Sequence, residues 1–375
     1  MKICLLIPSL SGGGAEFVTT QWAGYLRDQG HSVEVYVTHA KPTDLAPAGV
    51  EYVVGPRKGF FGSLLAFRKH LALSPPDCIV ALMPFWNLMA ILAARFHVRG
   101  SRPAVLISGR NAAVALTSVF GLGYRVKQWM ARHLYRYADG FIAISHPIAA
   151  EAVAYYALAP SKVTVVPNPA LAKVEELYGT ASLSYARSFL KRADSSEHIN
   201  IVVPARLVAQ KRPHIAVMAA DWLKKHHGLD CTVHYFGTGP LQQEVANLAR
   251  ELQIDTKFHG WVKHWFTSCP SDSVVVLASL AEGFGNVLVE AAAMGIPSVV
   301  SSRCLGAADA VIPGVTGTLI HGESYREFAE GIIACRDIRP DGIDLWLRRF
   351  SRHGSGEALL AMIDQVVSAN RLDDK

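Results

Sequence analysis

Short apolar runs bounded by turn residues recur along the chain, at intervals that leave room for a helix between them. In the first half they occupy 2–8, 31–38, 50–54, 78–83, 104–108, 140–145 and 163–167. Val33, Val35 and Val37 alternate with polar neighbours in the second run. Near-continuous apolar character elsewhere predicts strands covered on both faces, as in parallel sheets. Between the first two runs, 15–29 predicts a helix, so the chain opens as a β-turn-α-β unit. The pattern restarts at 199–204 and continues at 232–237, 256–259, 274–277 and 295–300, with helices predicted through about 252, over 284–294 and over 354–369. Such alternation predicts an α/β protein of doubly wound parallel sheets, whose ligands gather beyond the carboxyl ends of the strands.

The first series closes on Val165-Val166-Pro167-Asn168-Pro169, and 171–198 is polar and irregularly patterned. This places one Rossmann-like domain at 1–170, a linker region at 171–198 and a second domain at 199–353, with a helical tail at 354–375. A chain of 375 residues is long enough for two cores. Half its residues are hydrophobic and 18% are charged, which fits a globular protein rather than a disordered one. The opening MKICLLIPSL is too short to span a membrane and lacks a cleavage site, so it reads as a buried strand. Six scattered cysteines without a C-x-x-C read as reduced thiols of a cytoplasmic protein and suggest no zinc site.

Charge divides unevenly: residues 1–170 carry 16 Lys and Arg against 8 Asp and Glu, and the remainder 21 against 23. The basic excess of the first half points to an anionic partner, either a membrane surface or a nucleic acid. No nucleic-acid module or RNP-like aromatic pattern is present, so no nucleic-acid partner is expected. Two basic segments stand out. In 57–71, Phe60, Leu64, Phe67 and Leu71 recur at helical spacing among cations; in 124–137, Arg125, Lys127, Arg132 and Arg136 accompany Trp129 and Leu134. Each is either a helix turning its apolar stripe to its own core or a basic amphipathic helix lying on an anionic bilayer.

The chemistry concentrates in 279–295, SLAEGFGNVLVEAAAMG, which leaves a strand, turns on Gly283 and Gly285 and starts a helix. Glycines there admit close ligand approach, and the first N–H groups of the helix favour an anion. Asn286 and Glu290 lie four apart on one helical face, and Glu290 leans back toward the turn. In the first domain, Gly12-Gly13-Gly14 follows the first strand; it is either a tight turn or a second phosphate approach, with Glu16 a favourable charge in the first helical turn.

Glu282, seven intervening residues and Glu290, followed by Ala-Ala-Ala-Met-Gly-Ile-Pro, resemble the signature of the retaining GT-B glycosyltransferases of family four. Arg206 and Lys211, after the strand at 199–204, match that family's paired cations. The resemblance extends over nearly the whole chain. It implies a GT-B fold of two Rossmann-like domains with parallel sheets facing across a cleft, the first for the acceptor and the second for the nucleotide sugar. The tail at 354–375 would cross back to the first domain. By this resemblance Arg206 and Lys211 hold the donor diphosphate, Glu282 binds the donor sugar and Glu290 the ribose hydroxyls. Phe284, Gly285, Asn286 and Val287 face sugar and phosphate, Gly13 and Gly14 approach the phosphates, and Gly260-Trp261-Val262 meet the base. Trp261 is a stacking partner or a packed aromatic. Where many members carry a histidine after the fifth strand, this chain has Ser108-Gly109-Arg110-Asn111, which leaves Arg110 and Asn111 on the acceptor side. Asp309 stands for a common glutamate.

No protein nucleophile is evident, so the implied route is front-face: the leaving phosphate takes the acceptor proton while the cations stabilise it. No metal and no cofactor are expected. The implied partners are a nucleotide-sugar donor, UDP by family frequency, and a lipid-linked or cell-envelope glycan acceptor. The implied location is the cytoplasm, peripheral on the inner face of the cell membrane. Rival readings are a nucleotide-sugar epimerase, which needs no acceptor, a phosphorylase, which needs inorganic phosphate, and an inert sugar-nucleotide-binding scaffold, which would turn nothing over.

Overall fold

The structure, a computed structural model, describes residues 1–56, 59–95, 102–112, 114, 122–179, 198–270 and 272–373. Arg57, Lys58 and most of the 171–198 region therefore lie outside the described residues. The chain divides into two compact units, Met1–Pro169 with Arg349–Lys375, and Ala170–Arg348.

The first unit is built on β1 (Lys2–Ile7), β2 (Ser32–Val37), β3 (Glu51–Val54), β4 (Cys78–Leu82), β5 (Ala104–Gly109), β6 (Gly140–Ala143) and β7 (Val163–Val165). All pair in parallel, in the order β3-β2-β1-β4-β5-β6-β7. Ile3 to Ile7 and Cys78 to Leu82 are all fully buried, which is why both central strands read as unbroken apolar runs. The Gly14–Asp28 helix buries Val18, Trp22 and Leu26 on the same core that receives Leu359, Ile363, Val366 and Val367 of the Arg352–Asp373 helix. The Trp22 indole donates to Ser355 Oγ at 2.8 Å, and Ser355 Oγ donates in turn to the Pro167 carbonyl.

The second unit repeats this design with β8 (His198–Val203), β9 (Asp230–Tyr235), β10 (Asp255–Phe258), β11 (Ser273–Leu277), β12 (Ser298–Ser301) and β13 (Gly317–Ile320). These too are all parallel, in the order β10-β9-β8-β11-β12-β13. The fold is thus the predicted pair of Rossmann-like parallel-sheet domains. In each sheet the chain winds outward from one central strand and then jumps across it, so the strand order reverses between β1 and β4 and between β8 and β11. In open parallel sheets, ligands bind beyond the carboxyl ends of the strands at such a reversal.

The apolar runs did not announce β13, nor the Tyr325–Ala334 helix behind it. That helix nevertheless has a legible start, because Ser324 and Glu327 form a reciprocal capping box. The basic segments resolve unequally. Phe67 and Leu71 are fully buried and Phe60 and Leu64 half-buried, so the stripe singled out in 57–71 is a core face. The same Phe60–Leu73 helix nonetheless exposes Phe61 and Leu65, one turn apart. In the Leu122–Leu134 helix, Trp129 is 63% exposed among exposed Arg125, Lys127 and Arg132, with Leu134 half-buried. The Pro84–Arg95 helix packs against both, so the two lie in one layer of the first unit.

Candidate functional site

Because β8 and β11 are neighbours at the switch point, the loops that leave their carboxyl ends meet. Three successive residues of the first loop hold the second. Gln210 accepts from the Leu280 N–H at 2.9 Å and donates from Nε2 to the Ala281 carbonyl at 2.8 Å. Lys211 Nζ bonds and ion-pairs with Glu282 Oε1. Arg212 donates from Nε to the Ala278 carbonyl at 2.6 Å. Arg212 does so from a left-handed backbone, φ 46°, a conformation that costs an L-residue roughly 1–2 kcal/mol and that these contacts hold in place. Lys211 and Glu282, 71 positions apart in sequence, are thereby set against one another.

Glu282 is 9% exposed. Its Oε1 accepts from Lys211 and, at 2.6 Å, from Ser279 Oγ. Both donors fall on one oxygen, leaving Oε2 without a hydrogen-bond partner among the described residues and open to a hydroxyl. The backbone beneath is tightly fitted: a Cβ on Gly306 would stand 2.1 Å from the Glu282 carbonyl oxygen. Burial pushes the neighbouring Cys304 thiol up to about 12, with the Glu282 carboxylate adding to the effect, so it stays protonated. Gly285, φ 100°, caps the Asn286–Ala293 helix without a side-chain acceptor, and the first-turn N–H groups face the turn. Phe284 is buried, while Asn286 and Val287 are half-buried at the start of that helix.

Arg206 lies on the β8 loop, exposed and without an ion pair or hydrogen bond from its side chain among the described residues. Its loop is braced by the one after β9. Leu207 donates to the Thr238 carbonyl at 3.1 Å, and Leu241 donates to the Leu207 carbonyl at 3.1 Å. A Cβ at Gly237 or Gly239 would come within 2.1 Å or 2.2 Å of the Ala205 or Leu207 carbonyl oxygen, so this G-x-G turn exists to let two backbones touch.

The structure places Glu290 differently from its partner in the motif. It has no exposed surface. Lys173 Nζ donates to its Oε1 at 2.8 Å and the Trp265 indole to its Oε2 at 2.6 Å. Glu290 thus ties the Ala172–Tyr178 helix and the Trp265–Ser268 turn to the Asn286–Ala293 helix. A ribose reaches this carboxylate only where those partners yield. Neither Lys173, in the predicted linker, nor Trp265, in a stretch without periodicity, carried a sequence signal for this contact.

Beside it, the loop Gly260-Trp261-Val262 leaves β10. Gly260 has φ 71°, and Trp261 is 76% exposed, so it is not a packed aromatic. The ordered aromatics are others. His259 lies 4.2 Å from Phe236 and 5.4 Å from His234, centroid to centroid, with both pairs stacked. Burial holds His234 down to about 4 and also lowers His259, so both imidazoles are neutral at neutral pH. Sequence reasoning missed this stack, although aromatic residues directly at the ends of β9 and β10 were the available signal.

In the first unit, the Gly14–Asp28 helix starts from Gly13 with no side-chain cap, behind Gly12 at φ 114°. Gly12, Gly13 and Gly14 are exposed. Lys41 Nζ donates to the Ser11 carbonyl at 2.7 Å, which puts a cation against this loop. Arg110 and Asn111 follow β5; Asn111 is exposed, whereas Arg110 turns inward over Trp22.

The family described as "Glycosyltransferase Family 4" matches residues 12–170, and that described as "Glycosyl transferases group 1" matches residues 198–337. A Campylobacter jejuni GalNAc-alpha-(1->4)-GalNAc-alpha-(1->3)-diNAcBac-PP-undecaprenol alpha-1,4-N-acetyl-D-galactosaminyltransferase is 24% identical, over 85% of this chain and 84% of its own. A D-inositol 3-phosphate glycosyltransferase of Catenulispora acidiphila is 28% identical over 72% of this chain, which spans 61% of that enzyme. Among solved structures, a lipopolysaccharide outer core galactosyltransferase, WaaB, superposes with TM-score 0.74 at 18% identity, covering 97% of this chain and 99% of that one. A sucrose-phosphate synthase of Thermosynechococcus elongatus gives 0.72 at 17% identity, over 99% and 98%. At such identities the structural likeness establishes the fold.

Proposed function

From a chain that belongs to the GT-B glycosyltransferases of family four, we propose a retaining transfer of sugar from a nucleotide-diphosphate sugar, a UDP-sugar, to a lipid-linked or cell-envelope glycan acceptor. The observation that carries this reading is the meeting of Lys211 and Glu282 at the β8–β11 switch point. Arg206 stands on the same loop without a pair among the described residues, and a helix N-terminus begins at Gly285. Departure of a nucleoside diphosphate concentrates negative charge on the leaving oxygen, and fixed cations stabilise that charge without a metal. Arg206 and Lys211 supply them. Glu282 Oε2 takes a sugar hydroxyl, and the Phe284–Val287 turn meets sugar and phosphate. The leaving phosphate accepts the acceptor proton on the face it departs from, so the anomeric configuration is kept. The Phe236–His259 stack and the 260–262 loop form the wall for the base. The named relatives that act on a diphosphate-undecaprenol glycan and on inositol phosphate favour a glycan or lipid-linked acceptor.

A panel of UDP-, GDP-, ADP- and dTDP-sugars in a thermal-shift measurement tests the donor, because a ligand that binds the folded state raises apparent stability. The UDP-sugars are expected to give the largest rise; silence across the panel would remove the donor reading. Proton NMR of the transfer product then reads the anomer, and an inverted product would overturn retention.

The membrane is a further proposed partner. Phe61 and Leu65 are exposed on one helix, and Val126 and Trp129 are exposed with Arg125, Lys127 and Arg132 on another of the same layer, just before exposed Arg136; none of the described helices is long and apolar enough to cross a bilayer. Shallow insertion with electrostatic attraction fits that surface, which supports a peripheral position on the cytoplasmic face. On flotation with anionic vesicles the chain is expected to rise, and Trp129→Glu with Lys127→Glu to stay down. Equal recovery on neutral vesicles counts against the electrostatic share.

A further inference from the structure

Arg110 is held as a cation with most of its donors unused among the described residues. Its Nη1 donates to Asn168 Oδ1 at 2.7 Å, and the guanidinium carbon lies 4.7 Å from the centre of the Trp22 ring. Trp22 is itself fixed by Ser355. The Trp22 ring and the Asn168 hydrogen bond together hold the guanidinium in place. The remaining nitrogens, Nε and Nη2, are shielded from water and have no hydrogen-bond partner among the described residues. Ser108 Oγ, two residues earlier near the end of β5, is likewise buried and without a hydrogen-bond partner among the described residues.

Nε and Nη2 share one edge of the guanidinium, with parallel N–H bonds. That fork matches the two oxygens of a carboxylate or phosphate. Burial draws the Arg110 pKa down to about 9, with Glu16 favouring the charge, so the group is still cationic at neutral pH. Buried donors without acceptors are expensive, and a buried cation without an anion more so. The residue as a whole keeps part of its surface exposed, so the site is at the surface of the unit.

We propose that the Nε–Nη2 edge of Arg110, together with Ser108 Oγ, binds a phosphate or carboxylate carried by the acceptor, so that this enzyme selects an anionic acceptor. The proposal rests on the reading that the first unit receives the acceptor. It replaces the histidine expected after the fifth strand with a charge-matching contact that recognises rather than reacts.

Inorganic phosphate, glycerol phosphate and acetate are the probes, titrated calorimetrically against an Arg206→Ala/Lys211→Ala parent so that the proposed diphosphate cations do not answer for Arg110. Phosphate and glycerol phosphate binding without acetate binding identifies a phosphorylated acceptor, and acetate binding an acidic sugar. Binding is expected to fall at least tenfold in Arg110→Gln and in Arg110→Lys, which keeps the charge but loses the fork. Parent-level binding in either variant, or no binding of any probe by the parent, overturns the proposal. Nucleotide-sugar binding to Arg110→Gln with Arg206 and Lys211 intact shows that the variant is folded. If the unaltered chain binds no nucleotide sugar, the donor reading fails separately, while the anion result at Arg110 stands on its own.

Discussion

Lys211→Ala is expected to lower turnover roughly 10²- to 10³-fold, the loss typical of removing one preorganised group from a developing anion. The expectation follows from where Lys211 is held. Gln210 and Arg212 anchor its neighbours to the Ala278–Ala281 backbone, so the ammonium cannot drift from the mouth of the switch point. With little freedom to lose, it would stabilise the leaving diphosphate of the proposed reaction at small reorganisation cost. The substitution also strips Glu282 of one of its two donors and leaves a nearly buried carboxylate with Ser279 alone. Turnover is therefore to be measured well below the unfolding midpoint, beside Lys211→Ala/Glu282→Gln, which removes the stranded charge. Recovered folding with turnover still lost is the expected result; wild-type turnover in Lys211→Ala would end the assignment.

Glu290→Ala is expected to act first on stability, by about 2–4 kcal/mol. It leaves the Trp265 indole N–H buried without an acceptor, which costs about 1–3 kcal/mol, and removes the carboxylate from its ion pair with Lys173. Lys173 reaches water in part, with 22% of its side chain exposed, so the cost falls short of a fully buried broken pair. In a unit of this size each kcal/mol moves the midpoint by roughly 2–4 °C. Trp265→Phe, which removes the indole donor alone, is expected to cost about 1–2 kcal/mol. A Glu290→Ala protein of unchanged midpoint and weakened nucleotide binding would contradict the buried anchor and return Glu290 to the ribose.

Apolar periodicity carried most of the fold, because a strand covered on both faces must be apolar throughout. Val274 to Leu277 and Cys78 to Leu82 could be read this way before any topology was known. β13, Gly317–Ile320, escaped because it begins with a glycine, a Cβ on which would meet the Ser298 carbonyl oxygen at 2.0 Å. Amphipathic helices were legible as helices but not in what their apolar stripes face: Phe67 and Leu71 went to the core, while Phe61 and Leu65 on the same helix did not. At the candidate site, spacing identified Glu282 and Glu290 as a pair without separating their environments. One shares an oxygen with Lys211 and Ser279 and keeps the other open; the other is sealed by Lys173 and Trp265. That difference depends on contacts 117 and 25 positions away, to which local pattern is blind. Arg110 could be noticed as a departure, yet its unsatisfied edge is a property of packing alone.

In the proposed reaction Arg206 and Lys211 hold a nucleotide-sugar diphosphate. The direct measurement is calorimetric titration of UDP, GDP, ADP and dTDP into the chain and into Arg206→Ala/Lys211→Ala. At least one nucleotide is expected to bind the unaltered chain and to lose affinity by 100-fold or more in the double variant. Equal affinity in both proteins would contradict it.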